Sequence, residues 1–102
     1  HSIIIMEGIL LLHYTRLHKF YTLKVFVETP EHIRISRRME RDIQFRGRTK
    51  DSIERQYYST VKPMHEKFVQ PSKSYSDIVI DGTALINKSI NQIKSKIDLE
   101  IQ

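Results

Sequence analysis

Cysteine is absent from this chain of 102 residues, and so are long apolar runs. Without cysteine, the chain can form neither a disulfide framework nor a thiolate metal site. The longest apolar stretch, residues 3–12, contains Glu7 and is far shorter than the about 20 apolar residues that a membrane span needs. No signal-peptide pattern is present, so we expect a cytoplasmic location by default.

Glycine is also scarce, and its positions exclude one common nucleotide-binding motif. The three glycines are Gly8, Gly47 and Gly82, so the pattern G-x-x-x-x-G-K-[ST] does not occur in these residues. In that motif, main-chain N–H groups surround the phosphates of a nucleoside triphosphate. We therefore do not expect this chain by itself to hold a triphosphate and a metal ion in line for phosphoryl transfer.

Positive charge is present in excess. Lysine and arginine number 17 against 12 aspartates and glutamates, which gives a formal charge of +5 and an isoelectric point near 9.6. This balance favours anionic partners, namely nucleotides, nucleic acid or acidic lipids, without choosing among them. The length suits one domain with one core.

Much of that charge falls on one face of a predicted helix. The arginines at spacings i, i+3, i+4 and i+7 are Arg34, Arg37, Arg38 and Arg41. Arg46-Gly47-Arg48 follows within a turn, and the apolar side chains of Ile35, Met39 and Ile43 lie nearly opposite the row. A guanidinium can bind phosphate oxygens with two parallel hydrogen bonds, and it stays charged. The row therefore predicts a polyanion site, with a solvated basic face as the alternative.

Short β-branched runs alternate with helical patterns along the chain. Strands are predicted at residues 2–6, 23–27 and 77–80, and the arginine helix over about 31–45, after Pro30. A last amphipathic helix is predicted from about residue 85 onward. The alternation predicts an α/β fold with about three parallel strands, covered on both faces by about four helices.

The helix after the arginine helix has its own start and stripe. Thr49 or Asp51 is the predicted N-cap. The predicted apolar stripe comprises Ile53, Tyr57, Val61 and Met64. Pro63 lies inside this pattern and predicts a kink, because proline removes a helical hydrogen bond.

Glu7 follows the first predicted strand directly. Open α/β sheets bind ligands at the carboxyl ends of their strands, and Mg²⁺ takes few protein carboxylates while it bridges to substrate phosphates. The position therefore suggests a magnesium ligand. An equally good interpretation is a residue that caps the strand or pairs with a nearby arginine.

Several segments, taken in order, resemble the C-terminal half of uridine kinase, also called uridine-cytidine kinase. They include Glu7-Gly8-Ile9-Leu10, the run from Arg34 to Ile43, Arg46-Gly47-Arg48, and Gln56-Tyr57. The combination of Arg-Arg-x-x-Arg-Asp, Arg-Gly-Arg and Gln-Tyr is the most specific part of the resemblance. It implies the C-terminal portion of a P-loop-kinase-type fold, with residues 1–102 as a single partial domain.

The resemblance also implies an activity. Members transfer the γ-phosphoryl group of ATP or GTP to the 5′-hydroxyl of uridine or cytidine with Mg²⁺, in pyrimidine salvage, and they are commonly homotetramers. It implies no nucleic-acid or membrane partner. The phosphate loop and the catalytic aspartate of the family belong to its N-terminal half, so these 102 residues are expected to be inactive alone.

Site residues follow from the resemblance position by position. Glu7 matches the acid that helps to hold magnesium. Arg38, Arg48 and Gln56 match positions that contact the nucleoside. Arg41 and Arg46 match catalytic arginines that reach the phosphates. No contact is implied for Arg34 or Arg37.

Two other functions stay open at the level of sequence. The basic row suits a binding module for RNA or another polyanion, although an aromatic stacking platform is lacking. The chain also suits an oligomerisation remnant that keeps the family sequence without catalysis.

Overall fold

The computed structural model describes residues 2–100, and these form an α/β arrangement around a small parallel sheet. Strand β1 is Val25–Glu28 and strand β2 is Ile78–Asp81. They pair in parallel, with Val25 opposite Ile78 and Glu28 opposite Asp81. Two of the three predicted strands are thus confirmed, each shifted by one or two residues.

The predicted strand over residues 2–6 is not confirmed. Residues 2–8 carry no regular structure, and Ile4 is 87% exposed. A 3₁₀-helix, Thr15–Phe20, follows before β1 begins. A strand is stabilised by its neighbours in a sheet, and among the described residues β1 and β2 pair with each other rather than with this segment. We call residues 2–12 the N-terminal apolar segment.

The helices lie between and after the strands. The α-helices are α1 (Glu31–Arg46), α2 (Lys50–Gln56), α3 (Lys62–Met64), α4 (Gln70–Ser72) and α5 (Ile86–Glu100). Two π-helical turns, Tyr57–Val61 and His65–Val69, join α2, α3 and α4, and a 3₁₀ turn, Lys73–Tyr75, ends the run. The crossover from β1 to β2 is therefore almost entirely helical.

Local sequence explains how α1 begins and ends. Pro30 precedes it with ψ near 145°, and its fixed φ suits the entry to a helix. Gly47 ends it at φ 60°, in the left-handed region that favours glycine, and its N–H bonds the carbonyl of Asp42. The observed bounds match the predicted helix to within one residue.

The second helical run begins as predicted. Thr49 is the N-cap, and its hydroxyl accepts a hydrogen bond of 3.2 Å from the N–H of Ser52. Pro63 does not break the run. It lies in α3 between the two π turns, which are local widenings that can accommodate a lost helical hydrogen bond.

The core of the described part is small and joins the sheet to this run. Its buried apolar side chains are Phe26, Ile53, Tyr57 and Ile80. The predicted stripe is confirmed for Ile53 and Tyr57, whereas Val61 is half-buried and Met64 is 45% exposed. Helix α5 contacts β2, but none of its described residues is buried.

Two contacts fix α1 against the second helical run. The hydroxyl of Tyr57 donates to Glu31 Oε2 over 2.9 Å, and Lys62 Nζ lies 2.7 Å from the same oxygen. The hydrogen bond from Lys62 holds the pKa of the Glu31 carboxyl below its ordinary value.

None of the helices among residues 2–100 is long and apolar enough to cross a membrane.

Candidate functional site

The first two arginines of the row bind the ends of the strands. Arg34 Nε donates to the carbonyl of Thr29, and Arg37 Nη2 donates to the carbonyl of Gly82, each over 3.0 Å. The two carbonyls lie just after β1 and β2, where the N–H of Gly82 also bonds the carbonyl of Glu28 over 2.8 Å. Arg34 and Arg37, for which the resemblance implies no contact, therefore tie α1 to the sheet.

The later arginines gather around a single carboxylate. Arg41 Nε donates to Asp42 Oδ1 over 2.9 Å, and Arg46 Nη1 lies 3.6 Å from the same oxygen. Arg48 Nη1 lies 3.7 Å from Asp42 Oδ2. The Asp42 side chain is 0% exposed, whereas those of Arg41 and Arg46 are about half exposed. We call these four residues the Asp42 cluster.

Asp42 stays ionised over the ordinary pH range. The hydrogen bond from Arg41 is the largest cause that holds the pKa of its carboxyl below the ordinary value, and the charges of Arg46 and Arg38 act in the same direction. Burial opposes them by raising the pKa. The cluster therefore carries three positive charges around one negative charge, and this excess favours an anion.

Arg48 also holds a second predicted site residue. Its Nη1 donates to Gln56 Oε1, and its Nη2 donates to Ser52 Oγ over 2.8 Å. Because Ser52 and Gln56 are one turn apart on α2, they present their side chains to Arg48 from the same face. Arg48 therefore bridges the end of α1 and the side of α2.

Arg38 lies between the two groups of arginines. It is half-buried, and its side chain has no hydrogen-bond partner among the described residues. Its charge lowers the pKa of Asp42, so it belongs to the same electrostatic environment. Five predicted site residues thus lie around Asp42 and Arg48, namely Arg38, Arg41, Arg46, Arg48 and Gln56.

Glu7 is not brought to this group by a strand. It is exposed and lies in the N-terminal apolar segment, so the strand end on which the metal prediction depends is not formed. Within residues 2–100, no three histidine, cysteine, aspartate or glutamate side chains could hold a metal ion together. Glu7 therefore belongs to no such group of three, and its metal role stays a prediction.

Two residues of the site have contacts that the sequence interpretation did not assign. Neither Asp42 nor Ser52 is among the site residues predicted from the sequence. The signal for Asp42 was available: it is the only acid in residues 41–48, and it lies four residues before Arg46. Ser52 gives no comparable signal, because many exposed serines occur at such spacings.

Known proteins align with this sequence over nearly its whole length. A family model described as "Phosphoribulokinase / Uridine kinase family" matches residues 1–87. A uridine kinase of Bacillus mycoides is 46% identical over 96 residues, which are 94% of this chain and 45% of the relative. A uridine kinase of Listeria monocytogenes serotype 4a is 43% identical over 101 residues, 99% of this chain and 48% of the relative.

The predicted site residues from α1 to α2 lie inside the matched region. The segment from Arg34 to Gln56 falls within the residues that the family model covers. The chain spans about half the length of the curated relatives it matches. On this sequence evidence, the chain belongs to the phosphoribulokinase and uridine kinase family.

Proposed function

We propose that these residues form the nucleoside- and phosphate-binding part of a uridine kinase. The intact protein would transfer the γ-phosphoryl group of ATP or GTP to the 5′-hydroxyl of uridine or cytidine. One observation carries the proposal: Arg41 and Arg46, expected at the phosphates, share one buried carboxylate with Arg48, which is expected at the nucleoside. The uridine kinases among the relatives support the choice of substrate.

Arg48 and Gln56 suit the recognition of a pyrimidine. An arginine can only donate hydrogen bonds, so its contact with Gln56 uses the amide oxygen and leaves the amide nitrogen of Gln56 to donate. Uracil and cytosine both carry acceptors, including the O2 carbonyl. The pair therefore offers a donor that either base can accept.

Arg41 and Arg46 suit the phosphates. Arg41 bonds Asp42 through Nε, which leaves its two terminal nitrogens for a phosphate, and Arg46 approaches Asp42 only at 3.6 Å. Charge neutralisation and positioning supply most of the catalysis in phosphoryl transfer. In the proposed reaction, both arginines stabilise charge on the transferred group, while Arg38 lies toward the nucleoside.

Magnesium would neutralise phosphate charge when bound, and Glu7 would be the protein's ligand in this part of the chain. Mg²⁺ commonly takes one or two carboxylates, with waters and substrate phosphates completing its shell. A single exposed carboxylate is compatible with that arrangement.

The test is a substrate comparison with the full-length gene product. We expect ATP-dependent formation of UMP and CMP, resolved by chromatography, with adenosine and ribulose 5-phosphate as controls that are not phosphorylated. Phosphorylation of ribulose 5-phosphate, or of none of the four compounds, would contradict the proposal.

The 102 residues alone provide a second measurement. Because they contain no glycine-rich phosphate loop, we expect no turnover of uridine by this chain under the same conditions. Turnover by the isolated chain would show that the arginines suffice to hold the triphosphate.

A further inference from the structure

Asp42 is an unusual residue for its position. It is the one charged side chain that is buried among residues 2–100, and it is also the only buried residue of α1. The apolar residue Ile43 beside it is nearly half exposed. A buried carboxylate is costly unless cations and hydrogen bonds compensate it. The helix therefore turns inward a charge, where a hydrophobic side chain would ordinarily lie.

The contacts of Asp42 run through both its side chain and its backbone. The carboxylate reaches Arg41, Arg46 and Arg48 at 2.9, 3.6 and 3.7 Å. The main-chain carbonyl accepts the N–H of Gly47 and, over 3.1 Å, the N–H of Arg48. One residue thus fixes both where the chain turns after α1 and where the guanidiniums lie.

These contacts are uneven in strength. Only Arg41 makes a hydrogen bond to the carboxylate, while Asp42 Oδ2 has no hydrogen-bond partner among the described residues. Arg46 and Arg48 are close enough for Coulomb attraction but not for hydrogen bonds. The terminal N–H groups of Arg46 therefore remain available to a ligand, and those of Arg48 bond Gln56 and Ser52, while the carboxylate restrains where both side chains lie.

We propose that Asp42 is a positioning residue that couples the phosphate and nucleoside subsites. It holds Arg41 with its terminal nitrogens free, and it draws Arg46 and Arg48 to one point despite their mutual repulsion. This role rests on the proposed function for its substrates, but it concerns how the arginines are arranged. A substitution at Asp42 should therefore weaken the binding of both the nucleoside and the triphosphate.

The test is Asp42→Asn in the full-length gene product. Asparagine keeps the size of the side chain and removes its charge. We expect the KM for uridine and the KM for ATP both to rise about tenfold, since misplaced arginines lose their paired contacts. Asp51→Asn, an exposed aspartate in the first turn of α2, is the matched control and should leave both values unchanged.

Binding of inorganic triphosphate, measured by calorimetry, separates three roles by sign. If Asp42 positions the arginines, Asp42→Asn should bind triphosphate about tenfold more weakly, although the substitution removes a negative charge near the anion. Tighter binding would mean that Asp42 only reduces the local positive charge. Unchanged binding with lower thermal stability would mean that it only supports the fold. Either of these results overturns the proposal.

A second set of variants keeps Asp42 in place, in case Asp42→Asn does not fold. Arg41 and Arg48 make no hydrogen bond with each other, but both contact Asp42. The variants are therefore Arg41→Gln, Arg48→Gln and the double variant. Through the shared carboxylate, their effects on triphosphate affinity should be non-additive. The corresponding pair of Arg41→Gln and Arg55→Gln should be additive. Additivity in both pairs overturns the proposal.

Failure of this proposal differs from failure of the proposed function. If uridine is not phosphorylated but Asp42→Asn still weakens triphosphate binding, the substrate assignment is wrong and the positioning role holds. If uridine is phosphorylated and the variant changes neither KM, the positioning role is wrong and the substrate assignment holds.

Discussion

The Asp42 cluster and the N-terminal apolar segment differ in where their partners come from. Arg41, Arg46 and Arg48 reach Asp42 from at most six residues away along the chain. Ile4, in the apolar segment, is 87% exposed and lies in no strand. The cluster is thus assembled by local sequence, whereas an apolar strand needs partners that are distant in the chain.

The difference shows which property a short segment can encode by itself. A helix end, a glycine cap and a neighbouring N-cap bring charges together within about two turns. A buried β-strand cannot be stabilised by its neighbours in sequence in this way, because other segments must pair with both of its edges and pack on both of its faces. Four substitutions test this contrast, beginning with the one from which we expect the largest effect.

Ile53→Ala should be the most damaging change. Ile53 is 1% exposed and lies beside the cluster, so the cavity should lower the free energy of unfolding by about 3 kcal/mol. Ile4→Ala is the matched control and should cost under about 0.5 kcal/mol, because its side chain is already exposed. Denaturant titration of the full-length gene product measures both. An equal loss in the two variants would show that Ile4 is buried in the intact protein and would break the contrast.

Glu7→Gln tests whether the N-terminal apolar segment carries function despite its lack of regular structure. If Glu7 is a magnesium ligand, turnover at low Mg²⁺ should fall about tenfold while the KM for uridine changes little. The measurement is a magnesium titration of initial rates, with Glu40→Gln, an exposed acid of α1, as control. Identical magnesium curves for Glu7→Gln and wild type would remove the metal role.

Arg48→Lys tests whether the geometry of the cluster matters beyond its charge. A lysine keeps the positive charge but cannot reach Ser52 and Gln56 with a planar fork, so the KM for uridine should rise roughly fivefold. Arg55→Lys, on the exposed side of α2, serves as the control. Equal KM values for Arg48→Lys and wild type would indicate that charge alone is sufficient.

Acid should weaken the cluster before it affects the exposed segment. The pKa of the Asp42 carboxyl is lowered in the folded protein, mainly by the hydrogen bond from Arg41, so the unfolded state binds the proton more readily. The stabilisation is complete above about pH 4, near the ordinary aspartate value, and is lost as the pH falls through the lowered pKa. Denaturation midpoints from pH 6 to pH 3 should fall less steeply for Asp42→Asn than for Asp51→Asn. Parallel curves would contradict this expectation.

Local signals predicted most of the fold that the structure contains. Pro30 and Gly47 mark the ends of α1, and Thr49 marks the start of α2. The spacing of Ile53 and Tyr57 identified two of the four buried apolar residues. Each of these features depends on neighbours within a few residues, which is the range over which helical periodicity and capping act.

Two errors lie where the outcome depends on distant residues, and a third lies in the Asp42 cluster itself. The run at residues 2–6 has the composition of a buried strand but no strand beside it in the described part. Arg37 was left without a role because its acceptor, the carbonyl of Gly82, is 45 residues away. The sequence places Ile43 opposite the arginine row, but the buried residue at this end of α1 is Asp42, whose charge three arginines compensate.

The turn between α1 and α2 also bears on how sequences of this kind can diverge in length. Asp42 O accepts the N–H groups of Gly47 and Arg48, and Thr49 already caps the next helix, so every residue of the connection is committed. One inserted residue would rotate Arg48 away from Ser52 and Gln56 while it left the composition almost unchanged. We therefore expect insertions and deletions in this turn to disrupt the cluster, although the turn is exposed to solvent like an ordinary variable loop.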